Sequence, residues 1–399
     1  MPLAVYILGL SIFAQGTSEL MLAGLLPEMA ADLGVSVPDA GLLISAFAIG
    51  MLVGAPVLAV ATLRLPRRTV LLAFTAIFVL SHVAGALTSS YGVLFATRVV
   101  GAFVYAGFWA VAAGTAIGLV PANARARAMS VLAGGLTVAT IIGLSAGTVI
   151  GQHLGWRAAF WAVAALSALA GLGVLATIPG GRPDTGSAPS LAAELRAMAR
   201  PRLWLAYGTT SLTTGALLAS FSYLSALLVD TTGLDSAWVP AVLALYGVGS
   251  LIGITLGGRI ADARPFPLLY AGVTGLVLTS AALAMSATVA VLAIPLIFLL
   301  GAFGFGTNPA LNARPFALAK GAPTLAAAVN VSAFNAGITT GPWLGGLAIA
   351  AGLGYASVAW IGAAIGVAAL ASVALAAALH RTDSAIREPA GTGEIRSAV

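Results

Sequence analysis

Apolar runs of eighteen or more residues, broken by short polar punctuation, recur from one end of the chain to the other. A run of that length covers the roughly 30 Å hydrocarbon core of a bilayer as a helix rising about 1.5 Å per residue. The pattern predicts six such helices at about 3–31, 40–63, 70–87, 93–120, 129–151 and 157–178, and six more at 203–229, 237–257, 268–285, 289–311, 324–351 and 357–379. Between the sets lies a polar stretch, 179–202, with Gly180, Gly181, Pro183, Gly186 and Pro189, the chemistry of a linker. Residues 380–399 read as a polar, disordered tail. The expected organisation is therefore two helical bundles, 1–178 and 203–379, joined by a cytoplasmic linker and followed by a cytoplasmic tail. The first run begins like a signal peptide but lacks a basic leading segment and continues for a full span, so it is expected to remain as the first helix.

The two sets echo each other. Gly34, Gly50 and Gly54 return as Gly233, Gly249 and Gly253 at a constant offset of 199 positions. The triplet Gly101, Ala102, Phe103 returns as Gly301, Ala302, Phe303, and Gly143, Gly147 and Gly151 match Gly337, Gly341 and Gly345. A parallel repeat of two six-helix halves places a substrate cavity near the midplane, with rocking of the halves giving alternating access.

Composition removes the soluble alternatives: 60% of residues are apolar and 8% charged, against about 25% charge in soluble domains. Cysteine is absent, which excludes disulfides, thiolate metal sites and a thiol nucleophile. Arginines cluster in alternate loops, at Arg64, Arg67, Arg68, Arg125, Arg127, Arg259 and Arg264, whereas Glu28, Asp32, Asp39, Asp230 and Asp235 occupy the opposite ones. Cytoplasmic loops accumulate basic residues, so both termini are expected inside the cell and the acidic loops outside. The same distribution accounts for the net charge of +6 and leaves a nucleic-acid partner without support. Gly143 to Gly147 also spells a hydrolase elbow, but that turn needs a strand, a helix and partner residues, and nothing here supplies a catalytic dyad or metal-ligand cluster. No phosphate-binding loop is present either, so no ATP site, and no cofactor or metal is expected.

Four motifs carry a resemblance to the major facilitator superfamily, and within it to twelve-span drug:proton antiporters. The loop after the second helix keeps Arg64, Arg67 and Arg68 of the family's gating loop, with Leu63 where an aspartate is usual and Pro66 for a glycine. Its second-half copy, Gly258 to Asp262, follows the pattern more closely. The fifth helix carries Gly134, Gly143, Gly147 and Gly151 of the antiporter motif, with Thr148 where proline is usual. The eleventh carries Gly337, Gly341, Pro342, Gly345 and Gly346 in full. Glycine at every fourth position lets helices approach closely and proline bends them. Gly16 to Pro27, with Met21-Leu22-Ala23 after Glu19, is similar to the opening of actinobacterial chloramphenicol exporters, in a branch that also includes sugar and purine exporters.

Glu19 and Arg98 are the two charged side chains deep in the predicted spans. Each costs about 2.5–3.5 kcal/mol at midmembrane on insertion scales, so each is expected to line a cavity or find a partner. Arg98 stands where the family's fourth-helix motif has its arginine, and Glu19 is expected to carry the coupled proton, with Arg98 tuning it. Helical spacing puts Gln15 on the Glu19 face, and Tyr105 and Trp109 on the Arg98 face. A structural ion pair, or a Glu19 satisfied by the Ser18 hydroxyl, is the alternative. His82 reads as a hydrogen-bonded core residue. Across the cavity Thr210, Thr214, Asn330 and Asn335 offer hydrogen bonds to a neutral polar ligand, or hold helices together.

The expectation is an inner-membrane, monomeric exporter exchanging protons for a small amphiphilic drug, with chloramphenicol favoured. A sugar, nucleoside or amino-acid exporter is the nearer alternative; a channel or membrane enzyme is the more distant one.

Overall fold

The computed structural model describes residues 1–62, 65–121, 124–180, 198–261, 263–319 and 323–387. Arg64, Asp262, most of the proposed linker and the tail beyond 387 lie outside the described residues. The described chain is helical, and eleven of its helices are long and apolar enough to cross a membrane. They are α1 (Leu3–Gly24), α2 (Val37–Leu58), α3 (Arg67–Leu87), α4 (Tyr91–Gly118), α5 (Arg127–Leu154), α6 (Trp156–Thr177), α7 (Pro201–Thr231), α8 (Ser236–Ala261), α9 (Pro265–Met285), α10 (Ala290–Pro315) and α12 (Ala356–Arg381). Between the last two runs α11 (Pro323–Ala350), whose 28 residues extend about 42 Å. Asn330, Asn335, Thr339, Thr340 and a run of glycines make it less apolar than the other eleven. It tolerates them because it packs between α2 and α7.

The predicted first helix is shorter than its apolar run. A 3-10 turn at Met21–Gly24 closes α1, and a separate short helix, Leu26–Leu33, starts on Pro27 near its first position. Gly34 ends that helix with φ +64°, and its repeat partner Gly233 adopts φ +70°. An added Cβ would meet nothing within 4 Å at either glycine, so backbone conformation and not space explains them.

Helix packing follows the repeat. In the first half α1 packs on α5 and α6, α2 on α4, and α3 on α4 and α6. In the second half α7 packs on α11 and α12, α8 on α10, and α9 on α10 and α12. The register is equally faithful. A side chain on Gly50 would strike the Val99 carbonyl, and one on Gly249 the Phe298 carbonyl, again 199 positions on. Gly54 and Gly253 repeat the relation against Phe103 and Ala302. Backbones this close gain dispersion along their length, which is what holds helices together where lipid removes the hydrophobic drive.

The halves meet along two lines, α2 with α11 and α5 with α8. Ser45 Oγ donates to the Thr339 carbonyl at 2.9 Å, and Ser332 Oγ to the Leu52 carbonyl at 2.7 Å. At the acidic end Ser225 Oγ donates to the Ala23 carbonyl at 2.7 Å and Gln152 Nε2 to the Ser236 carbonyl at 2.8 Å. That end is therefore bridged across both halves.

Candidate functional site: the transport pathway

In both halves the antiporter glycines pack on the helix that leads that half. Gly143, Gly147 and Gly151 of α5 face Thr17, Met21 and Leu25, four residues apart on each side. A Cβ on Gly341 of α11 would lie 2.6 Å from the Gly215 carbonyl oxygen of α7, and Gly337 meets Ser211, Thr214 and Gly215 of the same helix. Gly345 and Gly346 rest on Tyr223, whose hydroxyl donates to the Pro342 carbonyl at 3.0 Å. Gly134 differs: nothing lies within 4 Å of a Cβ there, so it takes no part in the close contact. The proline missing from α5 is replaced by another device. Ala139–Gly143 form a π-helical turn, and Gly247 of α8 packs directly on Thr140 and Ile141 within it. Such turns break the regular ladder and bend a helix without proline.

Glu19 sits on α1 just before its 3-10 end and is partly exposed, although the residues before it, from Ala14 to Ser18, are buried. Among the described residues no hydrogen bond or ion pair holds its carboxylate, though Arg98 acts on it electrostatically. The ion-pair alternative is thus not what the structure contains, nor does Ser18 satisfy Glu19. Arg98, 2% exposed, instead donates from Nη1 to Ser18 Oγ at 2.6 Å and from Nη2 to the Ser18 carbonyl at 3.0 Å. Its guanidinium lies 4.3 Å from the centre of the Phe47 ring, a contact worth about 2 kcal/mol when desolvated. Together these offset the insertion cost of the charge without a carboxylate. Phe47 was not singled out in the sequence, where one phenylalanine in an apolar helix carries no signal.

The rest of the predicted wall is partly assembled. Trp109 Nε1 donates to Tyr105 Oη at 3.1 Å, and that hydroxyl reaches Gly16 of α1. Gln15 is 1% exposed with neither amide atom partnered. On the other half, Asn330 donates to Asn312 Oδ1 at 3.0 Å and Asn335 to the Val331 carbonyl at 2.9 Å, and the side-chain oxygen of each is buried and unpartnered. Buried orphans of this kind are rare and mark places for water or ligand. Thr210 and Thr214 do not share this character. Thr210 is fully buried and bonds back to the Ala206 carbonyl, and Thr214 packs on Gly337, so both serve helix packing.

The gating loops are only partly described. Arg67 Nη1 donates to the Gly114 carbonyl at 2.8 Å, within its own half, and Arg68 lies 3.5 Å from where a Cβ on Gly180 would stand. Gly258 faces open space. At the opposite end a cavity of about 310 Å³ lies between the halves, lined by Gly24, Glu28, Gln152, Ser225, Asp230 and Ser236 among others. Burial pushes the Glu28 carboxyl above its usual range, and one of its oxygens is unpartnered. Both acids had counted only as loop charges in the sequence.

The family pattern described as Major Facilitator Superfamily matches residues 8–330. The chain belongs to the major facilitator superfamily. It is 45% identical to a chloramphenicol resistance protein of Streptomyces lividans over 86% of this chain and 88% of that one. It is 35% identical to the inner membrane transport protein YdhP of Escherichia coli over 93% and 95%. The solved nucleoside transporter NupG superposes with a TM-score of 0.74 at 14% identity, covering 94% of this chain and 99% of that chain, a likeness of fold. The family read from the helix-one and glycine motifs is thereby the family of the chain, a multi-pass membrane transporter of all-helical, two-fold repeated architecture.

Proposed function

We propose that this transporter exports a small amphiphilic drug, chloramphenicol or a related phenicol, in exchange for protons, by alternating access. The substrate assignment is supported by the likeness to the Streptomyces chloramphenicol resistance protein across most of both chains. The coupling assignment rests on Glu19, a half-buried carboxylate deep in α1 with no ion-pair partner among the described residues. A group in that position can exchange a proton as the halves rock. The arginine distribution supports an inner-membrane placement with both termini cytoplasmic, so the end bridged by Gln152 and Ser225 faces outward. The working unit is a monomer in the bilayer, with drug and protons as its partners.

Exchange of one proton for a neutral drug carries net positive charge inward, and each such charge draws about 2.3 kcal/mol per 100 mV of membrane potential. A second reading, export of a hydroxyl-rich metabolite, is favoured by the unpartnered amide atoms of Gln15, Asn330 and Asn335, which suit a polar ligand. Expression in a pump-deficient host separates the two. Resistance to chloramphenicol, with accumulation of labelled drug restored by an uncoupler, is expected. Unchanged drug sensitivity with altered release of sugars or nucleosides would favour the second reading.

A further inference from the structure

Behind Glu19 runs a chain of hydrogen bonds whose direction is set by valence. The Phe78 carbonyl can only accept, so His82 Nδ1, 2.9 Å away, carries the proton. In the neutral ring Nε2 is then an acceptor, and Ser18 Oγ, 2.6 Å away, donates to it. With its single proton spent on His82, Ser18 Oγ turns its lone pairs to Arg98 Nη1 at 2.6 Å. Ser18 is fully buried and His82 is 3% exposed, with the ring centres of Phe78 and Phe160 at 4.2 and 5.6 Å. Neighbouring hydroxyls on α1 behave differently: Ser11 and Thr17 bond back to the carbonyls of Ile7 and Phe13 on their own helix. Ser18 is drawn off that habit by His82 on α3.

The consequence falls on Glu19, the next residue. Arg98 is the charged group nearest it by electrostatics, yet both terminal nitrogens of its fork are engaged at Ser18 and its Nε is unpartnered. The other titratable groups on helices packed against α1 are few. Tyr105 on α4 is bonded to Trp109. Tyr91 at the outer end of α4 donates to the Asp39 carbonyl. His153 and Arg157 sit at the outer ends of α5 and α6, with Arg157 paired to Asp32, and Arg127 opens α5 at the far end. The position of Arg98 therefore governs the charge around Glu19.

We propose that Ser18 and His82 form a latch that holds Arg98 off Glu19, leaving the carboxylate open to a proton or ligand, and that His82 is a positioning residue for proton exchange. This rests on the reading of Glu19 as the proton-exchanging group. When the latch opens, Arg98 is free to pair with Glu19, so the latch links helix packing at α3 to the protonation of α1.

The test is infrared titration of the carboxyl band in the full-length reconstituted protein, the Glu19 component being the one lost in Glu19→Gln. Ser18→Ala removes the acceptor of Nη1, and His82→Leu lets the Ser18 hydroxyl turn back to its own helix, so in both the guanidinium keeps only the Ser18 carbonyl at Nη2 and can swing Nη1 to Glu19. A paired arginine favours the charged form, so the midpoint should move toward acid by about one pH unit or more. Ser18→Thr keeps the hydroxyl. His82→Gln keeps a carbonyl for Ser18 and an amide N–H for Phe78. Both should titrate like wild type. Midpoints unmoved in folded Ser18→Ala and His82→Leu, or His82→Gln behaving like His82→Leu, would overturn the latch. If the midpoints move as expected while Glu19→Gln still couples drug to protons, the latch stands and the coupling assignment fails. If coupling is lost in Glu19→Gln and the midpoints stay, the reverse holds.

Discussion

Gln152 Nε2 of α5 donates to the Ser236 carbonyl of α8 at 2.8 Å, joining the two halves at the acidic end of the bundle. Alternating access requires this bond to break in every cycle. The chain contains no cysteine, so paired thiols can be introduced without background. Gln152→Cys with Ser236→Cys, bridged by a short bifunctional thiol reagent that reductant cleaves, should stop export, and cleavage should restore it. Full export by the bridged protein would show that this end does not open.

The glycine motif makes a contrasting pair of predictions. At Gly341 a Cβ would sit 2.6 Å from the Gly215 oxygen and 2.8 Å from the Ala219 nitrogen, both backbone atoms that cannot swing aside. Overpacking costs about 1–3 kcal/mol, and more when backbone must move, so Gly341→Leu should lower export at least about tenfold while still inserting. Gly134 has open space, and Gly134→Ala should export normally, its helix unchanged or firmer by about 0.5–1 kcal/mol. Drug accumulation assays on both variants, with expression checked, settle the contrast. Equal activity in the two would make the motif incidental.

At the acidic end of the bundle Asp32 accepts from both Arg157 and Trp156, the latter at 3.0 Å, and the Arg157 bond, with Trp156 second, holds its carboxyl below the usual carboxylate range. A depressed value means stabilisation that is present above the ordinary carboxylate pKa of about 3.9 and lost as pH falls through the lower folded value. The two side chains are 35% and 45% exposed, so screening limits the pair to below about 1 kcal/mol. Asp32→Asn should lower Tm slightly at pH 7, with the difference shrinking steadily as pH drops below about 4. A gap that widened with acid would contradict the assignment.

The helices, their two-fold repeat and the tight glycines were legible because each depends on short-range pattern: apolar length, and glycine wherever a carbonyl of the partner helix lies in van der Waals contact. Gly54 and Gly253 needed no tertiary information. The site was read less well. Glu19 and Arg98 stood out as charges in apolar helices, but which atom Arg98 would contact depends on how α1, α3 and α4 rotate against one another, and no local pattern encodes that. Ser18, beside Glu19 in sequence, turned its hydroxyl to His82 and Arg98. Thr210 and Thr214 carried the same hydroxyl chemistry as a binding site, yet Thr210 bonds back to the Ala206 carbonyl of its own helix and Thr214 packs on Gly337 of α11. The π turn at Ala139–Gly143 left no proline to announce it.

The most direct test of the account is drug-driven proton movement in proteoliposomes carrying wild type or Glu19→Gln. Glu19 is half-buried and held by no ion pair among the described residues, so wild type should move protons when a chloramphenicol gradient is imposed. Glu19→Gln should retain drug binding and downhill drug exchange while losing the proton signal. Proton movement of wild-type size in Glu19→Gln would contradict the account and leave Glu19 a structural residue.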